Sequence, residues 1–129
     1  MPAASANKTL VVDDQLTMRS LVRAGLNQIG FSQIEEAVDG EDAFRKVLQR
    51  PVNLIISDFN MPKLDGLSLL RALRSHEPTR QVAFIMLTGR ADDELVRRAA
   101  QFGVNNYLVK PFTVATLKDK IEQVFGALT

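Results

Sequence analysis

The chain has 129 residues, 46% apolar and 24% charged, values that suit one globular domain and exclude a disordered chain. Sixteen Lys and Arg side chains against 15 Asp and Glu leave a net charge of +1, so no bulk field draws it to nucleic acid or an anionic membrane. Cysteine is absent, which excludes disulfides, thiolate metal sites and cysteine nucleophiles, and no apolar run approaches the roughly 18 residues of a membrane span.

The opening MPAASANK lacks the apolar centre of a secretory signal, and residues 1–7 read as a flexible lead-in to one domain over 8–129, expected in the cytoplasm. Thr9 to Val12 reads as a first strand that runs straight into Asp13 and Asp14. A helix follows with Met18, Leu21, Val22, Gly25, Leu26 and Ile29 on one stripe. Gln33 to Ala37 alternates apolar and polar residues, as an edge strand does. Asp39 then caps a helix whose apolar positions are Ala43, Phe44, Val47 and Leu48. Val52 to Ser57 is almost continuously apolar, the mark of a strand covered on both faces, and it ends at Asp58. Asp65 caps a third helix carrying Leu67, Leu70 and Leu73. A second continuous run, Ala83 to Leu87, ends at Thr88. The acidic turn Asp92, Asp93, Glu94 opens a helix with Leu95, Val96, Ala99 and Ala100, where it complements the helix dipole. Asn106 to Val109 ends at Lys110, and Thr113 caps a last helix with Leu117, Ile121, Val124, Phe125 and Leu128. Five strand–helix units without a linker or repeat predict an α/β fold, an open doubly wound parallel sheet with helices on both faces.

Ligands of such sheets bind beyond the carboxyl ends of the strands, where strand order reverses. Asp13 and Asp14, Asp58, Thr88 and Lys110 follow four of the five strands. A lone Asp there is ordinarily a turn former or a cap. Three on neighbouring strands about 4.8 Å apart are different, because like charges at that distance raise one another's pKa and destabilise the fold. One lysine does not balance three carboxylates. A hard divalent cation does, and oxygen-only ligation with open water positions suits Mg²⁺, with Mn²⁺ as a substitute. Carboxylates, cation, lysine and hydroxyl together are equipment for phosphoryl transfer. A flavin binder of the same fold is excluded, because DDQLTM would repel a phosphate in the first loop. A phosphohydrolase of the haloacid dehalogenase type needs a second acid two places after the first, where Gln15 stands. There remains a protein whose own aspartate accepts a phosphoryl group and holds it as a signal.

The segments VVDDQ, ISDFNMPKLDG, MLTG and YLVKPFTVATL, in this order over nearly the whole chain, resemble the receiver domain of two-component response regulators, most closely its stand-alone chemotaxis members. The resemblance, not the residues by themselves, supplies the flavodoxin-like strand order 2-1-3-4-5. It implies that Asp58 is the phosphoacceptor for a histidine kinase or phosphotransfer protein, in a signalling domain that phosphorylates and dephosphorylates itself, with a phosphatase as a further partner. It implies Mg²⁺ ligated by Asp14, Asp58 and the backbone carbonyl of Asn60, with Asp13 acting through a water. Lys110 would pair with the acceptor; Thr88 and the amides of Asn60 and Gly89 would take the phosphoryl oxygens, a bulkier residue than Gly89 crowding their approach. Pro111 would follow a cis bond. Thr88 and Tyr107 would form the switch that reshapes the surface of helix 4, strand 5 and helix 5.

Two departures qualify the resemblance. Arg90 stands where chemotaxis relatives carry an acid, and either contacts the phosphoryl group or extends into solvent. Helix 4 opens on acids where those relatives are basic, while Lys118 and Lys120 keep part of the basic character on helix 5. A flagellar switch protein that expects a basic patch would meet the wrong sign. The expected output of this monomer, whose sequence ends just after helix 5, is therefore a phosphorylation-dependent protein contact in chemotaxis, with a phosphate relay or sink, a non-chemotactic regulator such as one for stress signalling, or an unphosphorylated scaffold as alternatives. Neither nucleic acid nor membrane is an expected partner.

Overall fold

A computed structural model describes residues 3–89 and 93–128. The near-continuous apolar runs become the three central strands, β1 (Lys8–Val12), β3 (Leu54–Asp58) and β4 (Ala83–Thr88), while β2 (Gln33–Ala37) and β5 (Asn106–Val109) form the edges. All pairs are parallel and the order is β2-β1-β3-β4-β5, as expected. Helices α1 (Leu16–Ile29), α2 (Gly40–Gln49), α3 (Gly66–Ser75), α4 (Asp93–Gln101) and α5 (Val114–Phe125) connect or follow the strands.

Alternation along the strands divides the core in two. Val11, Leu54, Ile56, Ile85 and Leu87 face α1 and α5 with Val22, Leu26, Leu117 and Ile121. Leu10, Val12, Ile55, Phe84 and Met86 face α2, α3 and α4 with Ala43, Val47, Leu70 and Ala99. Both faces of β1, β3 and β4 are thus buried, which is why those strands need no polar positions. The caps form as read: Asp39 accepts from the Asp42 amide, Asp65 from Ser68 and Thr113 from Thr116.

The differences are local. β3 begins at Leu54, because Asn53 turns both its amide and its side chain to the Lys8 backbone, and its last residue is Asp58 itself. Leu21 is 54% exposed: α1 meets α5 closely at Gly25, where a Cβ would lie 3.0 Å from Leu117, so the contact is narrow and Leu21 turns outward. Leu48 is likewise exposed, and Leu69, outside the predicted stripe, is fully buried because α3 packs against α2 as well as the sheet. Residues 4–6, expected within the flexible lead-in, form a 3-10 turn whose Ala4 is buried in the same cluster as Phe31.

Candidate functional site

β1 and β3 are neighbours, and from them the chain winds outward in opposite directions, to β2 on one side and to β4 and β5 on the other. Their carboxyl ends therefore face one crevice. The Asp13 backbone is fixed on both sides: its amide donates to the Ala37 carbonyl at 3.1 Å, and its own carbonyl accepts from Arg19 Nη1 at 2.7 Å. Its Oδ1 accepts from the Gln15 amide at 2.9 Å, which leaves Oδ2 buried without a hydrogen-bond partner. Asp14, the next residue, is exposed. Asp58 is buried, and the loop beyond it folds tightly back, with the Gly66 amide on the Phe59 carbonyl at 2.8 Å. A Cβ on Gly66 would lie 2.4 Å from the Asp58 carbonyl, so only glycine fits there.

One oxygen from each of Asp13, Asp14 and Asp58 lies within 4.8 Å of the others. Lys110 comes across from β5, its amide on the Thr88 carbonyl at 2.7 Å and its Nζ 2.9 Å from Asp58 Oδ1. The Lys110–Pro111 bond that follows is cis. Burial is the main cause that lifts the Asp13 pKa from 3.8 to about 6; the Gln15 amide pulls it down, Asp58 raises it, Lys110 lowers it and Asp14 raises it. A buried carboxylate oxygen without a partner, among three acids and one lysine, fits a hard divalent cation, and the all-oxygen donor set is of the kind that suits Mg²⁺.

Beside the acids opens a cleft of about 470 Å³ walled by Asp58, Asn60, Thr88, Gly89, Leu95 and Lys110. Gly89 and Asn60 are exposed on it, and a Cβ at Gly89 would meet no atom of the described residues within 4 Å, so packing among them does not require that glycine. Thr88 and Leu95 also wall a smaller cavity, against which Tyr107 packs. Tyr107 is half-buried, with Lys120 Nζ 4.8 Å from its ring centroid, and Lys118 and Glu94 are exposed. Arg90, Asp92 and the side chain of Asp93 lie outside the described residues. Sequence reasoning passed over Arg19 and Glu36. Arg19 and Arg23, one helical turn apart, both pair with Glu36 on β2, at 3.0 and 2.9 Å. Two arginines at that spacing were a signal for a shared counter-ion, but nothing local named it.

Residues 9–122 match the family model of the response regulator receiver domain. Over 128 residues, 99% of each chain, the protein is 51% identical to a relative named "Probable chemotaxis protein CheY" from Rhizobium etli. Among solved structures it is similar to the chemotaxis response regulator CheY4 of Vibrio cholerae, at 31% identity and a TM-score of 0.84 over 96% of this chain and 99% of that one. It is also similar to the receiver domain of the sensor histidine kinase PA1611 from Pseudomonas aeruginosa, described with a magnesium ion coordinated in the active site cleft; identity is 30% and the TM-score 0.83, over 94% of this chain and 98% of that one.

Proposed function

The chain belongs to the response regulator receiver domain family, and from that premise we propose that it is a cytoplasmic phosphoacceptor whose Asp58 takes a phosphoryl group from a histidine kinase or phosphotransfer protein. The observation that carries this reading is the three-acid cluster with its orphaned Asp13 oxygen, set against Lys110 on the acceptor. Asp58 Oδ attacks phosphorus; the new O–P bond forms as the P–N bond of a phosphohistidine breaks and the imidazole departs. Lys110, 2.9 Å from Asp58 Oδ1, holds the acceptor beforehand and a phosphoryl oxygen afterwards. The Thr88 hydroxyl and the amides of Asn60 and Gly89, on the cleft wall, receive the remaining oxygens. Asp14, Asp58 and the Asn60 carbonyl would hold Mg²⁺, with Asp13 acting through a water, and the ion would neutralise the charge gathered on the acceptor and the incoming group.

Since Thr88 and Leu95 are shared between the cleft and the cavity beside Tyr107, a pull on Thr88 alters the room available to that ring. In this reading phosphorylation thereby reshapes α4, β5 and α5 for a protein partner, in chemotaxis or flagellar control. The experiment is exposure to a small acyl phosphate, read by intact mass. Wild type gains one phosphoryl group with Mg²⁺ and none with EDTA, and Asp58→Asn gains none. Uptake that survives in Asp58→Asn would falsify the assignment. A messenger should also gain partner affinity on loading with beryllofluoride and need Tyr107, whereas a phosphate sink keeps its function with that surface ablated.

A further inference from the structure

We propose that Arg19, anchored by Glu36, is a positioning residue that presets the Asp13–Asp14 turn for a divalent cation; the inference rests on the phosphoacceptor reading of the same site. The turn needs such help. Gly66 packs directly on the Asp58 backbone, whereas the Asp13 backbone is held by two hydrogen bonds, its amide on the Ala37 carbonyl and its carbonyl on Arg19. Asp13 keeps one oxygen buried and unpaired, and one oxygen of its carboxylate lies within 4.8 Å of those of Asp14 and Asp58, which like-charge repulsion and desolvation both oppose.

Arg19 sits on α1, immediately beyond the turn, with its side chain only 12% exposed. Its guanidinium spans two elements: Nη1 donates to the Asp13 carbonyl at 2.7 Å, and Nε donates to Glu36 Oε1 on β2 at 3.0 Å. The Glu36 backbone is itself tied down by Lys46 Nζ on its carbonyl at 2.6 Å. A planar fork between two fixed acceptors sets the position of the Asp13 backbone, and the Gln15 amide then sets the rotation of its carboxylate. Glu36 has a second task. A lone guanidinium near the acids would compete with an incoming cation, and pairing with the carboxylate, which Arg23 shares, weakens that competition.

Arg23 supplies the internal control. It pairs with the other oxygen of Glu36 at 2.9 Å, on the same helix, and among the described residues it makes no hydrogen bond to Asp13. Loss of an ion pair to Glu36 is common to both arginines; loss of the Asp13 carbonyl contact belongs to Arg19 alone.

The test is Mn²⁺ and Mg²⁺ affinity of the full chain, by titration calorimetry and by the electron paramagnetic resonance of free Mn²⁺, for wild type, Arg19→Met, Arg19→Lys, Arg23→Met and Asp14→Asn. Arg19→Met should lose roughly tenfold or more in affinity, the usual effect of removing a group that orients a metal ligand. Arg19→Lys, which keeps the charge and one donor, should fall between Arg19→Met and wild type, and it serves alone should Arg19→Met not fold. Arg23→Met should stay within about twofold of wild type. The amide resonance of Gln15, which reports the Asp13 carboxylate, should move in the Arg19 variants and not in Arg23→Met. Equal losses for Arg19→Met and Arg23→Met, or wild-type affinity in both Arg19 variants, overturn the positioning role and leave the phosphoacceptor reading standing. A wild type that binds no cation, or binds it unchanged in Asp14→Asn, overturns that reading and this inference with it.

Discussion

Replacing Asp13 by Asn should make the chain more stable at neutral pH when no divalent cation is present. Asp13 is 2% exposed, one of its oxygens lacks a partner, and burial foremost raises its pKa from 3.8 to about 6. A carboxyl with its folded pKa above its unfolded value binds more protons in the folded state between the two. The stability is therefore fully present below about pH 4 and is lost as the pH rises through about 6. The gap between 3.8 and about 6 corresponds to about 3 kcal/mol, an upper figure because neighbouring Asp14 is exposed and admits water. Asparagine keeps an oxygen for the Gln15 amide and offers the acids an N–H in place of a charge. Urea denaturation in EDTA between pH 4 and 8 should show wild type weakening with pH, with a nearly level profile for Asp13→Asn and a gap of about 2 kcal/mol at pH 7.5. In excess Mg²⁺ wild type should recover by mass action and the variant much less. Parallel pH profiles in EDTA would refute the argument, since the burial and repulsion invoked here act through one titrating group.

Three further outcomes follow from packing and backbone geometry, each measured by the same denaturation. Gly66→Ala should destabilise by about 3 kcal/mol or prevent folding, since the new methyl would lie 2.4 Å from the Asp58 carbonyl and 2.9 Å from Met86 Sδ. Lys63→Asn should stabilise by about 1 kcal/mol, because Lys63 is held at φ 66°, which asparagine tolerates better; the Asp39 contact it forfeits, at 3.9 Å with an exposed lysine, contributes little. Arg74→Met should cost about 3 kcal/mol through lost hydrogen bonds to the carbonyls of Gly103, Arg80 and Val82 and to Asn105 Oδ1, whereas Arg71→Met, which loses a stacking contact with Phe102, should cost under about 1 kcal/mol.

Where burial leaves no choice, the pattern of residues alone was enough to read the structure. β1, β3 and β4 are closed on both faces, so their sequences carry no polar alternation, whereas edge strand β2 leaves Gln33 exposed and Glu35 and Glu36 part-buried and so admits polar residues. Helix caps were legible for a similar reason, since Asp39, Asp65 and Thr113 serve amides three residues away. Leu21 and Leu69 were not. Which part of a helical stripe is covered depends on the neighbouring helix, and for α1 that neighbour is α5, at the far end of the chain.

The same distinction runs through the site. The acids could be picked out because they stand at the carboxyl ends of two neighbouring strands, and three charges gathered there demand a counter-charge. What orients them was hidden, because Arg19 reaches the Asp13 carbonyl and Glu36 only once β2 has been laid beside β1. Strand order thus does two jobs at this rim. It gathers Asp13 and Asp58 from neighbouring strands, and it puts the anchor of their brace on the outer strand, where Glu36 is partly exposed and can carry charge without the cost of full burial. An acid that weakens the apo fold is tolerable there because the strands behind it are sealed on both faces. The instability is confined to one turn, and a cation can relieve it.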